Sequence, residues 1–577
     1  MSVNPSINQG EGLDAVTEER DPTLLDCFLK WEAQRRERIY LTQPYPDGRV
    51  VDYTWREVGD QARRMAGYFK SLGLHLGSHV VLLGKNSAHW IIADLAMMMA
   101  GVVSVPLYPM FSADAALYVI AHCDAKLLLL GKLDGAGDNW PSIHDRLPAG
   151  MPMLGLPQSP RIGIPQWEEI RAEHAPLQSL HQPERDELCT IVYTSGSTGE
   201  PKGVMHSYDR MAAVVRALEV DWYGFNAHDR MLSYLPLAHL AERVMVETPS
   251  LAFGFRLFFF DSLATFTADL QRARPTAFMS VPRLWTRFYL AVNERLPPAR
   301  QRWLFALPLI AGVVKRRILR QLGLDQVRVA ISGSAPLPER IIRWYRSLGL
   351  ELLEGYGMSE NLAISHMSPP GAVRIGSVGQ PQLGVQARIG KDGEIEVRSP
   401  GQMLGYYKQP ELTAAQTTTD GFFRTGDLGE IDADGFLRIT GRTKDIFKTA
   451  KGKYVAPAPI EAKLCEHARF EAVCVAGAGQ PMPFALLMLS QETRHSVGDG
   501  TLDRGTLSAE LAELRERVNS SIEHHEALQY FVVVKEPWSV ENGMLTPTLK
   551  IRRGAIEHHY LPSAEQWAAL RQPVIWE

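Results

Sequence analysis

The sequence predicts an α/β protein of more than one domain, built mainly on parallel sheets. Three observations carry that expectation. The chain has 577 residues, beyond the roughly 250–300 residues at which a single core stops growing. Its first half alternates helical spacing with short β-rich runs, the pattern of βαβ units. After about Gly379 the texture changes to short strands and turns. The apolar fraction of 45% and charged fraction of 22% are those of an ordinary globular protein, and the formal net charge of −4 offers no footprint for nucleic acid.

Taken in order, residues 55–72 carry helical spacing and 80–83 form a short apolar run. Residues 88–100 read as a packed helix and 102–107 as a strand. Asp94, Gly101 and Pro106 interrupt the apolar stretch around them, which disfavours a membrane span needing ~20 apolar residues. Residues 126–130, 188–193, 230–234, 257–260 and 327–331 read as further strands, each next to a helical segment. Hairpins turning on Asp-Gly are expected within 391–397 and 430–438. They predict a small antiparallel or β-barrel-like subdomain. The stretch beyond Arg442 is domain-sized. It mixes helical patterns (460–467, 508–524) with strands (471–475, 530–534).

The five cysteines are odd in number and form no Cys-x-x-Cys pair. They predict reduced thiols and disfavour a zinc site. Residues 1–22 are polar and net acidic, without the basic and apolar regions of a secretory signal. A cytoplasmic protein is expected.

The strongest motif is Tyr193-Thr-Ser-Gly-Ser-Thr-Gly-Glu-Pro-Lys-Gly203, directly after an apolar strand. The hydroxyls of Thr194, Ser195, Ser197 and Thr198 can surround a polyphosphate. Gly196 and Gly199 allow close backbone approach, and Lys202 adds a mobile point charge. A Walker A loop is excluded, because its Gly-Lys-Ser/Thr ending is missing. Leu235-Pro-Leu-Ala-His-Leu-Ala-Glu-Arg243 holds a lone histidine, His239, a type more often structural than functional. Ser332-Gly-Ser-Ala-Pro336 follows a strand, where ligands of open α/β sheets sit. It reads either as a plain strand-to-helix turn or as exposed backbone that could hold a flat base. In Glu354-Gly355-Tyr356-Gly357-Met358-Ser359-Glu360, Tyr356 offers an aromatic face and Glu360 a carboxylate suited to Mg²⁺. Asp427, in Arg424-Thr-Gly-Asp-Leu428, is either a turn aspartate or an acceptor for two ribose hydroxyls. The residue inventory alone implies ATP handling.

These motifs, in this order, resemble those of the adenylate-forming superfamily, over roughly residues 55–553. The resemblance implies a large N-terminal domain (1–441) of α/β subdomains plus the small β subdomain. It also implies a hinge (442–444) and a mobile α+β C-terminal domain (445–577). It implies that Thr194–Lys202 grips the triphosphate and that Ser334, Ala335 and Pro336 contact adenine. By the same resemblance Asp427 holds the ribose with help from Arg442, and His239 lies beside the acyl carboxylate. Within the charged run 441–454, Lys444 matches the pivot, and Lys451–Tyr454 would approach the pantetheine channel. Lys550, in Asn542-Gly-Met-Leu-Thr-Pro-Thr-Leu-Lys-Ile-Arg-Arg553, matches the adenylation lysine. Leu549 and Ser359 depart from the common pattern, which has Gly and Thr there. The Leu-Thr-Pro-Thr-x-Lys form resembles the long-chain fatty acyl-CoA synthetase branch. ATP, Mg²⁺ and coenzyme A are implied, with a fatty acid as acyl substrate. A ligase that loads a carrier protein, or a catalytically silent relative, remains an alternative. Oligomeric state is not legible.

Residues 295–320 are basic at both flanks, lack acidic residues, and enclose an apolar core at 303–314. Two readings stand: a packed helical insertion with a solvated basic end, or peripheral contact with the inner face of a membrane.

Overall fold

The computed structural model describes residues 21–135, 138–194, 200–220, 224–546 and 550–577. The largest sheet has seven strands. From one edge they run Gly405–Tyr406, Lys202–Ser207, Leu188–Thr194, Val103–Leu107, His79–Leu83, Leu127–Leu130 and Met153–Gly155. The five from Leu188–Thr194 onward are parallel, and the first two are antiparallel additions. A five-stranded sheet places Ala277–Ser280, Val329–Gly333 and Leu352–Tyr356 in parallel, then adds two short antiparallel strands. A four-stranded sheet joins Val50–Thr54, Ile39–Pro44, Arg256–Phe259 and Arg230–Ser233.

Local chemistry sets the helices between these sheets. Thr54 and Glu57 form a reciprocal capping box at the start of Trp55–Ser71, which turns Val58, Ala62, Met65 and Phe69 inward. The helix Ala88–Ala100 is buried at every position. Protein covers it on all sides, its one carboxylate, Asp94, included, and it is not a membrane span. Ser87 caps its start, and Gly101, at φ 69°, ends it in the left-handed conformation that glycine tolerates best.

The small subdomain is an antiparallel sheet in the order Gln386–Ile389, Glu394–Arg398, Phe423–Ile431, Leu437–Arg442. Both expected Asp-Gly turns lie between its strands, with Gly393 and Gly435 at φ 79° and 82°. Beyond it, Phe470–Ala476, Phe484–Leu489, Phe531–Val533 and Val574–Trp576 build a separate four-stranded sheet. Two apolar clusters drawn entirely from residues after 446 flank that sheet. The C-terminal part therefore carries its own core. Two helices there are displaced from their expected positions, at Pro457–Leu464 and Arg504–Asn519. In both cases the start signal lies upstream of the apolar pattern: proline at the first turn in one, the Asp503 cap in the other.

The segment 295–320 is a correction in form. It is not one apolar stretch but two packed helices, Pro298–Phe305 and Pro308–Gln321. Pro308 cannot continue the first helix, so it starts the second.

Candidate active site

The site lies where the sheets of the large domain end and the C-terminal part meets them. The strands Leu188–Thr194 and Lys202–Ser207 form a hairpin closed by the pair Thr194↔Lys202. The loop between them contains Ser195, Gly196, Ser197, Thr198 and Gly199, which lie outside the described residues. Lys202 stands at the foot of that loop. Burial lowers its pKa, nearby Lys444 lowers it further, and Glu360 opposes both.

A buried network holds the hairpin in place. Arg243 is wholly buried and pairs with Asp94 at 2.7 Å and Glu247 at 3.2 Å. It also donates to Thr190 Oγ1 at 2.8 Å, on the strand that feeds the loop. Arg243 opens a π-helical turn, Arg243–Glu247, directly after the segment bearing His239. Removing one partner from such a network costs about 3–5 kcal/mol, because a buried charge is left unpaired. His239 accepts a hydrogen bond from Ala241 N–H through Nδ1 at 3.1 Å. Burial, followed by the charge of Lys550, pushes its pKa down to about 4, so the ring is neutral and Nε2 carries the proton.

The loop after Val329–Gly333 exposes Ser334, Ala335 and Pro336. Ser334 adopts φ 73°, a conformation uncommon for a non-glycine residue and concentrated at ligand sites. On the neighbouring strand Glu354 lies opposite Ser332. Its Oε2 is buried without a hydrogen-bond partner, and burial raises the carboxyl to about 7. Gly355 closes the strand pairing, and Gly357 allows a close approach: a Cβ there would lie 2.5 Å from Ala363 Cα. The turn Met358–Ala363 is tight. Met358 N–H donates to Asn361 Oδ1 at 3.0 Å, and Leu362 and Ala363 both adopt positive φ. His206, buried on the strand Lys202–Ser207 of the largest sheet, anchors the turn by donating from Nε2 to the Ser359 carbonyl at 2.8 Å. Ser359 itself sits in the first turn of a short 3₁₀ helix that carries Glu360.

Asp427 and Arg442 face each other across adjacent antiparallel strands, joined by an ion pair of 2.8 Å. Tyr356 donates its hydroxyl to the other carboxylate oxygen of Asp427 at 2.7 Å. The pair thus fixes Asp427 while its partner Arg442 stays mostly exposed. Lys444 lies in the turn that follows Leu437–Arg442 and precedes the C-terminal part.

Lys550 comes from that C-terminal part. Thr546 N–H donates to the Lys550 carbonyl at 2.7 Å, and Lys550 N–H donates to Thr546 Oγ1 at 3.1 Å. Residues 547–549, Leu549 among them, lie outside the described residues. Lys550 keeps solvent access, yet protein crowds its ammonium. That crowding lowers its pKa, the positive charge of Arg442 lowers it further, and Asp427 opposes them. Lys550 is thereby placed within electrostatic reach of His239, Asp427 and Arg442 together. Salt bridges Arg283–Glu471 and Arg340–Glu466 hold the C-terminal part against the large domain. Tyr406, His206 and the Arg243 network were not legible as functional residues in the sequence. The one available signal was the Gly-Tyr-Tyr-Lys run ahead of Pro410, and it says nothing of the distant partners.

Among the described residues no cluster of three or more His, Cys, Asp or Glu side chains could hold a metal. A lone carboxylate such as Glu360 still fits Mg²⁺, which takes one or two carboxylates plus phosphate oxygens.

A large mixed α/β N-terminal domain and a C-terminal domain that carries Lys550 toward it make up the fold of the adenylate-forming enzymes. The chain belongs to the family of AMP-binding enzymes, which matches residues 28–407, and the AMP-binding enzyme C-terminal domain matches residues 444–567. It is 30% identical over 586 residues to the long-chain-fatty-acid–CoA ligase FadD15 of Mycobacterium bovis, covering 93% of this chain and 96% of that one. It is 28% identical to long-chain-fatty-acid–CoA ligase 1 of Cavia porcellus, covering 93% and 85%. Among solved structures it shares the fold of the adenylation domain of a carboxylate reductase from Mycobacterium chelonae. That match has a TM-score of 0.78 at 23% identity and covers 96% of this chain and 92% of that one.

Proposed function

We propose that the enzyme activates a long-chain fatty acid in two steps. The fatty carboxylate attacks the α-phosphorus of ATP; the bond to pyrophosphate breaks and acyl-AMP forms. The thiol of coenzyme A, losing its proton, then attacks the acyl carbon and AMP leaves. The observation that carries this reading is Lys550, which reaches from the C-terminal part into the electrostatic neighbourhood of His239, Asp427 and Arg442.

The first step brings two anions together, so it requires concentrated positive charge. In this reading Lys550 bridges the carboxylate and the α-phosphate, and Lys202 meets the departing phosphates. Bound at Glu360, Mg²⁺ would neutralise charge on the phosphate oxygens. Asp427, oriented by Tyr356 and Arg442, accepts the ribose hydroxyls. Glu354, with one carboxyl oxygen unpartnered, faces the base side with Gly355, Met358 and the Ser334–Pro336 loop. Neutral His239 is a donor beside the acyl carboxylate. Residues 1–441 form the adenylating domain, 442–444 the hinge and 445–577 the moving domain. Relatives named long-chain-fatty-acid–CoA ligases support the acyl class.

The hairpin Pro298–Gln321 supports a membrane-facing role in this reading. Trp303 and Val313 are 65% and 69% exposed, and Ile310 is exposed beside them. Arg300, Arg302, Lys315 and Arg316 lie on the same two helices. Such a surface suits an anionic bilayer from which lipid substrate is drawn. Among the described residues no helix is long and apolar enough to cross a membrane.

The deciding assay is ATP–pyrophosphate exchange across carboxylic acids of graded length, repeated with coenzyme A for thioester product. Each methylene buried contributes about 0.8 kcal/mol, or roughly fourfold in kcat/KM, up to the length the acyl site holds. Exchange without thioester would redirect the second step to another acceptor. No exchange with any acid would remove the catalytic reading.

A further inference from the structure

We propose that Tyr406 is a positioning residue that holds the Glu360 carboxylate and the Lys202 ammonium apart, as opposite walls of the seat for Mg²⁺-bound triphosphate. This rests on the reading that Glu360 takes the metal. Tyr406 is 6% exposed and donates its hydroxyl to Glu360 Oε1 at 2.8 Å. The Lys202 ammonium lies 5.5 Å from the centroid of the same ring. One side chain therefore engages the anion through its hydroxyl and the cation through its π face.

That arrangement matters because the two charges would otherwise attract each other. A direct Lys202–Glu360 ion pair would neutralise both and close the space between them. Among the described residues they form none, and Tyr406 stands in contact with each. A carboxylate has two oxygens; with Oε1 accepting from Tyr406, Oε2 remains to face a metal.

The backbone fixes Tyr406 firmly enough for this task. Gly405 and Tyr406 add an edge strand to Lys202–Ser207, pairing Tyr406 with Val204. Tyr407 N–H donates to the Gly203 carbonyl at 2.8 Å, one residue from Lys202. Tyr406 N–H donates to Thr413 Oγ1 at 2.9 Å. On the other side Met403 N–H donates to the Glu360 carbonyl at 2.7 Å. The segment 403–407 thus bonds both the lysine strand and the glutamate turn, and Tyr406 is the side chain that spans them. Partners that orient a metal-binding carboxylate typically contribute 10–100-fold to metal affinity.

The test is calorimetric titration of a non-cleavable α,β-methylene ATP analogue over a range of Mg²⁺ concentrations, with AMP titrated in parallel. Wild type, Tyr406→Phe, Glu360→Gln and the double variant are compared. Tyr406→Phe is expected to raise the Mg²⁺ concentration needed for half-maximal tightening about 10-fold. AMP affinity should not change, because AMP lacks the phosphates that share the metal. In the Glu360→Gln background the Tyr406→Phe effect should vanish. Unaltered AMP binding also certifies folding; if the phenylalanine variant does not fold, Tyr406→Leu repeats the measurement. An unchanged Mg²⁺ response in Tyr406→Phe, with a shifted one in Glu360→Gln, overturns the role of Tyr406 alone. Equal losses of AMP and analogue affinity mark a purely structural tyrosine and overturn it as well. A Glu360→Gln variant with wild-type Mg²⁺ response removes the metal reading and this proposal together.

Discussion

Lys550 lies more than a hundred residues along the chain from Asp427 and Arg442, yet it lies close enough to feel the charge of both. Its position predicts a split effect. Lys550→Ala should slow adenylate formation roughly 10²-fold or more, the scale for deleting a transition-state charge partner. Thioester formation from preformed acyl-AMP should suffer far less, because on the proposed reading Lys550 would then be rotated away. Single-turnover assays of each half-reaction check this, and equal losses in both would rule the role out. At this scale the sequence was readable where candidate residues lie in short contiguous motifs, as with Lys202, Tyr356, Asp427 and Lys550. It was unreadable where a side chain matters through a partner far along the chain. His206 bonds the Ser359 carbonyl 153 positions away, and Tyr406 bonds Glu360 across 46. Arg243 reaches Asp94 across 149. Nothing local announces such pairs.

Elements were legible where composition alone dictates them. The fully buried helix Ala88–Ala100, the capped helix Trp55–Ser71 and the Asp-Gly hairpins follow from periodicity, caps and turn residues. The hairpin Pro298–Gln321 shows the limit. Its apolar run reads as one stretch, but Pro308 divides it, and only packing decides which residues remain outside. Because Trp303 and Val313 are among those outside, the element should bind membranes. Sedimentation with vesicles rich in anionic lipid should carry down the protein at low salt. The bound fraction should fall as salt rises and drop sharply in the Trp303→Glu/Val313→Glu variant. Protein that stays in the supernatant at low salt would leave the packed-insertion reading standing alone.

At the scale of the whole molecule, two separately cored parts meet at the turn holding Lys444, with Lys202 close enough to feel its charge. A swing of the C-terminal part between half-reactions predicts a selective block. Proline fixes φ near −65°, so Lys444→Pro should leave pyrophosphate exchange within a few-fold of wild type while acyl-CoA formation fails. Wild-type overall turnover in that variant would dismiss the hinge. The sequence by itself determined the α/β class, much of the order of elements and the family, because these depend on local periodicity and contiguous motifs. The tertiary structure alone decided which charges lie near Lys550, that Tyr406 touches both Lys202 and Glu360, and that Arg243 ties the loop strand to its neighbours. Those arrangements arise from burial and long-range pairing, and proximity in space leaves no local mark on a chain.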